Sequence, residues 1–162
     1  MYQMKAMDVF KLIISIVICQ LAGFIGSFFT RPAIPTWYAA LKKPAITPPN
    51  WVFSPVWISL FTLMGISLFL VWRKGFQQPQ VKIAVAIFAI QLIFNILWSV
   101  AFFGFKSPLA GLIVIVILWA AILMTILNFL KISRAAGILL MPYILWVSFA
   151  AVLNLLLFLL NR

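Results

Sequence analysis

Long apolar runs dominate the chain, each cut off by a short polar or proline-bearing stretch. Five of them reach the roughly 20 residues that a helix needs to cross a bilayer core. They are Val9–Phe29, Pro55–Trp72, Val81–Phe103, Leu109–Leu130 and Ala136–Leu160. The connections at 73–82, 104–108 and 131–134 are short, which predicts antiparallel neighbours. The connection from Thr30 to Ser54 is long and interrupted by proline, so it is not expected to form one helix. The first run follows Lys5 and Lys11 as a secretory signal would. Its apolar part is too long for one, and no small-x-small cleavage site follows, so it is expected to remain as a span. The pattern predicts an all-α integral membrane protein with a single domain over residues 1–162, a bundle of five transmembrane helices.

Polar positions inside the runs carry the next layer of information, because an unpaired polar group in hydrocarbon costs several kcal/mol. In the third run Gln91, Asn95, Trp98, Ser99 and Phe102 share one helical face. In the fifth, Tyr143, Trp146, Ala150, Leu153 and Asn154 form a similar stripe, and Pro142 predicts a kink. The first run places Ser15, Cys19, Gly23 and Ser27 four apart, with Gly26 beside them, a pattern that lets helix backbones approach closely. The fourth carries only scattered Trp119, Thr125 and Asn128. Amides such as Gln91 and Asn154 commonly glue membrane helices together. Asn95 with Trp98, and Tyr143 with Trp146, combine flat aromatic bodies with hydrogen-bonding edges, which also suits a large planar guest.

Composition agrees and narrows the chemistry. Hydrophobic residues make up 67 % of the chain and charged ones 8 %, with a mean hydropathy of +1.24. A soluble domain of 162 residues could not carry so little charge at its surface. The net charge of +11 comes from Lys and Arg beside the apolar runs, where anionic headgroups attract them, so no nucleic-acid partner is expected. Seven basic residues fall on the N-terminal side (Lys5, Lys11, Arg73, Lys74, Lys82, Lys131, Arg134) and five on the other, which favours the N-terminus inside. Histidine is absent and Asp8 is the one acidic side chain, which excludes paired-carboxylate and histidine-based catalysis. Cys19 is alone, so neither an intrachain disulfide nor a protein-only metal site is expected.

The stretch WYAALKKPAITPPNWVFSPVW at 37–57 holds three of the seven tryptophans and four prolines. Interfacial tryptophan is ordinary. The prolines stiffen the segment, and a stiff aromatic loop over the end of a helical bundle suits a lid. Lys42 and Lys43 would meet lipid headgroups, or the carboxylates of a guest.

These residues resemble the TspO/MBR family of translocator proteins, also known as tryptophan-rich sensory proteins or peripheral-type benzodiazepine receptors. The resemblance rests on Trp37-Tyr38, Leu41, Lys43-Pro44, Pro48-Pro49, Trp51, Phe53 and Pro55-Val56-Trp57, with GFIGS at 23–27, NILWSVAFFG at 95–104 and PYILWVSFAAVLN at 142–154 in support. It implies a five-helix bundle, often dimeric, with a pocket near the first loop for tetrapyrroles such as protoporphyrin or haem. Animal members also take sterols and benzodiazepine-type ligands. It implies pocket roles for Trp57, Trp146, Asn95, Trp98, Ala150 and Leu153, and places Phe53, Ser54, Pro55 and Val56 where the second helix begins to line the cavity. With Trp37, Trp51 and Tyr143 these are the candidate ligand-binding residues. Departures are Ile46 where many members carry Trp, Ala110 where animal members carry a pocket Trp, and a tail without the Tyr of the animal cholesterol motif. Alanines at 84, 86 and 89 make no clean seam for a homodimer.

Three functions compete at this stage. One is a sensor or receptor with a tetrapyrrole as ligand and no obligatory cofactor, in a prokaryotic cell membrane. Another is a light- and oxygen-dependent porphyrin-degrading enzyme with Trp57 and Trp146 as redox groups. The third is a porphyrin or sterol transporter, disfavoured by the lack of internal repeats and of charges deep in the spans.

Overall fold

The computed structural model describes residues 4–162. Helix α1 covers Ala6–Ala33 and runs on through a π-helical turn at Ile34–Tyr38. Helix α2 covers Asn50–Trp72 and α3 covers Pro79–Ser99, the latter extended by a second π-helical turn at Val100–Gly104. Helix α4 spans Pro108–Ile132, a short α5 spans Arg134–Leu139, and α6 spans Met141–Leu160. Among the described residues, five stretches are long and apolar enough to cross a membrane: Ala6–Tyr38, Asn50–Trp72, Pro79–Gly104, Pro108–Ile132 and Arg134–Leu160. The protein is an all-helical, five-span membrane bundle.

The first connection differs most from expectation. Residues 39–40 are still α-helical and α2 begins at Asn50, so only residues 41–49 lie outside the helices. Pro32 and Pro35 interrupt the hydrogen-bond ladder without ending the helix. Ala39 N–H reaches back to the carbonyl of Ile34, and Thr36 Oγ1 donates to the carbonyl of Pro32 at 2.7 Å. Those bonds keep the backbone helical past the prolines through a local π adjustment and a side-chain bond. Trp37 and Tyr38 are therefore helical, and Trp51, Phe53 and Ser54 already belong to α2. In the fifth span the ladder breaks at Leu140, two residues before Pro142.

The spans close into a ring. Helix α1 packs on α2 and α3, α4 on α3 and α6, and α5 on α2. The crossing of α1 and α2 depends on Gly65. A Cβ there would lie 2.5 Å from the backbone Cα of Ile16, so only glycine permits the approach. Gln20 fixes the same crossing, with Nε2 donating to the Ile58 carbonyl at 3.0 Å and to Thr62 Oγ1 at 2.9 Å. Ser67 Oγ of α2 donates to the Ala136 carbonyl at 2.7 Å, holding α5. Phe88 of α3 and Phe129 of α4 stack at 5.7 Å. Large apolar side chains such as Phe28, Ile113 and Leu145 face outward, as a lipid-solvated surface requires.

Candidate functional site

Helices α1, α2, α3 and α6 surround a cavity of about 460 Å³, within the range of small-molecule sites. Its aromatic walls come from separate elements. Trp57 and Phe61 of α2 lie 5.6 Å apart, and Trp57 faces Trp98 of α3 at 6.5 Å with the rings within 30° of parallel. Trp98 stacks on Phe102 at 5.5 Å. On the far side Trp146 of α6 meets the edge of Phe53 at 6.2 Å. Both π-helical turns reach the cavity, the first through Ile34 and Tyr38, the second through Phe102 and Phe103. The extra residue in each turn shifts the register and directs side chains that a straight helix would send elsewhere.

Polar groups around the cavity are sorted by whether they have partners. Asn95 Nδ2 donates to Tyr143 Oη at 2.7 Å, and that hydroxyl donates to Gln91 Oε1 at 2.8 Å. Gln91 Nε2 ends the chain on Met64 Sδ at 3.9 Å. Trp98 Nε1 donates to Asn154 Oδ1 at 3.1 Å, while Asn154 Nδ2 donates to the Pro108 carbonyl at 2.7 Å. Gln91 and Asn154 thus tie helices together, as amides in hydrocarbon must. Two buried groups on the wall lack any partner among the described residues: Trp146 Nε1 and the Tyr38 hydroxyl. Buried orphan donors cost free energy and call for an explanation.

Of the residues singled out from the sequence, Phe53, Ser54, Trp57, Asn95, Trp98, Trp146, Ala150 and Leu153 line this cavity. The others do not. Trp51 is 74 % exposed on the outer side of α2, where lipid or headgroups would meet it. Pro55 is exposed, and Val56 packs into the bundle core. Trp37 braces the wall from behind, its ring 5.4 Å from Phe102. Tyr143 is fully buried and meets the cavity wall through Asn95 and through the Trp57 ring, 6.3 Å away. Sequence reasoning missed Arg31, Tyr38 and Asn50 as cavity residues because it assigned 30–54 to a loop. The small-residue stripe of α1 was the available signal: Gly23, Gly26 and Ser27 form part of the wall, on the same helix as Arg31 and leading into the π-helical turn that holds Tyr38.

The cavity is not closed all round. Phe24 and Arg31 of α1, with Asn50, Ser54 and Ile58 of α2, line it and are also exposed. Its mouth therefore lies between α1 and α2. Residues 41–49 cap the end of the bundle without entering the cavity. They link Tyr38 to Asn50, which do line it.

Comparison with known proteins places this architecture. The sequence model of the TspO/MBR family matches residues 15–159. The chain belongs to the TspO/MBR family. The tryptophan-rich protein TspO of Chlorobaculum tepidum is 46 % identical over 147 residues, covering 91 % of this chain and 93 % of that one. The tryptophan-rich protein TspO of Archaeoglobus fulgidus is also 46 % identical, over 156 residues, covering 96 % and 99 %. The human translocator protein is 35 % identical over 137 residues, covering 83 % and 80 %. The TspO/MBR match takes in α2, α3, α1 from Ser15 onward and α6 up to Leu159, so the whole cavity lies within it.

Proposed function

We propose that this TspO/MBR protein is a membrane receptor that holds a porphyrin-type tetrapyrrole in the cavity between α1, α2, α3 and α6. The tetrapyrrole is a ligand; no obligatory cofactor or metal is invoked. The observation that carries the reading is the pairing of wide indole faces, Trp57, Trp98 and Trp146, with an unpartnered Trp146 Nε1 on the same wall. Flat apolar faces suit a macrocycle, and a free donor suits an acceptor on it. The bacterial and archaeal relatives support a prokaryotic cell membrane as its location, and the basic-residue bias supports an inside N-terminus. A homodimer belongs to the same reading. Sterol is the less favoured guest, since the tail lacks the tyrosine of the animal motif.

Titration of the purified protein with protoporphyrin IX, followed by tryptophan quenching, tests the reading. Saturation near one guest per chain, weakened by Trp57→Ala or Trp146→Ala, is the expected result. Featureless partitioning, unchanged in both variants, would refute it.

The 6.5 Å contact of Trp57 with Trp98, both on the cavity wall, also favours testing photo-oxidative porphyrin degradation. There the guest would absorb the light and indoles would supply electrons. Soret loss under illumination beyond that of free porphyrin, abolished in Trp57→Phe or Trp146→Phe, would favour an enzyme over a receptor.

A further inference from the structure

Among the described residues that line the cavity, Arg31 alone carries a charge. It is exposed at the mouth between α1 and α2, and no described side chain, carbonyl or ring engages its guanidinium. The lysines expected to meet a guest are otherwise committed. Lys43 Nζ donates to the carbonyls of Ala39 and Leu41, both at 3.2 Å, and sits 4.9 Å over the Tyr38 ring. Lys42 does not line the cavity.

Depth in the membrane follows from helix geometry. Arg31 lies twenty residues after Lys11 on α1, a rise of about 30 Å at 1.5 Å per residue, which matches the hydrocarbon thickness. Lys11 Nζ lies 5.7 Å over the Trp72 ring, an arrangement suited to the opposite interface. The cavity mouth at Arg31 thus sits at headgroup level, while Trp57 and Trp98 lie inside. Farther from Lys11 than Arg31, in the first π-helical turn, the hydroxyl of Tyr38, itself 3 % exposed, also lies on the cavity wall and has no hydrogen-bond partner among the described residues.

We propose that Arg31 selects an anionic guest, clamping a carboxylate at the mouth while the guest's planar apolar body lies among the tryptophans. The inference rests on the cavity being the binding site and adds the residue that reads the guest's charge, at a mouth between α1 and α2. A guanidinium is suited to this because it presents a planar fork to a carboxylate and stays charged.

Protoporphyrin IX and its dimethyl ester differ only in carrying free or masked carboxylates, so they separate charge from shape. Both are titrated against the protein in phosphatidylcholine nanodiscs, again by tryptophan quenching. The wild type should bind the acid about tenfold tighter than the ester, the partly solvated end of the range for a charge-assisted hydrogen bond. Arg31→Gln should erase that preference by weakening the acid alone, Arg31→Lys should keep part of it, and Lys42→Gln should keep all of it. Unchanged ester affinity in Arg31→Gln shows that the variant is folded. A wild type that binds acid and ester equally overturns the proposal and leaves the binding site standing. An acid preference that survives Arg31→Gln assigns the arginine to lipid headgroups and also overturns it. Failure of both probes to saturate overturns the site, and the inference with it.

Discussion

Two aromatic residues on adjacent turns of α6, Tyr143 and Trp146, separate structural from ligand-directed polarity. Tyr143 Oη both accepts from Asn95 and donates to Gln91. Tyr143→Phe strands two amides in a buried site, so a loss of about 1 kcal/mol is expected, between membrane-helix values and those for buried groups in water-soluble cores. Thermal unfolding in detergent checks it. Trp146 Nε1 has no partner among the described residues, so removing it strands nothing. Trp146→Phe should leave unfolding within about 0.5 kcal/mol of wild type while weakening protoporphyrin about fivefold, read by titration. A large stability loss in Trp146→Phe would mean the indole N–H has a structural partner after all. These polar stripes were legible in the sequence because amides in hydrocarbon have to pair, which gives Gln91, Asn95 and Asn154 a physical reason to share faces. Arg31 and Tyr38 were not legible, since a side chain assigned to a loop has no face.

Helices rather than loops carry the site, and the prolines explain why that was hard to see. In water, the prolines at positions 32 and 35 would predict a helix end. Here the chain instead keeps its helix past Arg31, inserts a π turn, and Thr36 Oγ1 donates to the Pro32 carbonyl. The five spans themselves, and the antiparallel order their short connections impose, could be read from length and apolarity alone. Helix crossings are set more locally. Gly65→Ala places a methyl against the Ile16 backbone, and backbone cannot rotate aside as a side chain can. Forced separation of α1 from α2 should cost about 1–3 kcal/mol and stretch the Gln20 bonds to Ile58 and Thr62. A lowered unfolding midpoint checks the first effect. Faster hydrogen exchange along residues 16–24 checks the second.

At the scale of the whole molecule, the end of α6 meets the first connection at the cavity-bearing end of the bundle. Asn161, just past α6, accepts from Lys42 N–H and donates to the Lys42 carbonyl, both at 2.9 Å. One side-chain amide thus pairs with both backbone groups of a residue 119 positions earlier. Its Nδ2 also donates to the Leu157 carbonyl at 2.8 Å, which fixes the amide to the helix end. The loop adds a turn of its own, with Thr47 N–H and Oγ1 both donating to the Pro44 carbonyl. Residues 41–49 are therefore held at both ends by helices that line the cavity, and at Lys42 by the residue just past α6. Asn161→Ala removes the clamp without touching the cavity wall, since Asn161 does not line it. The loop would then move with α1 and α2 alone, and the spacing of Tyr38 and Asn50 would be less constrained. Exchange of the Lys42 amide should quicken at least tenfold, the loss of about 1.4 kcal/mol of local protection. Bound protoporphyrin should leave faster, while its association rate stays near the wild-type value because the mouth between α1 and α2 is unaltered. Stopped-flow displacement separates the two rates. If Asn161→Ala slowed association and left dissociation unchanged, the guest would be entering past the loop end of the bundle, and the lateral mouth would not be its route.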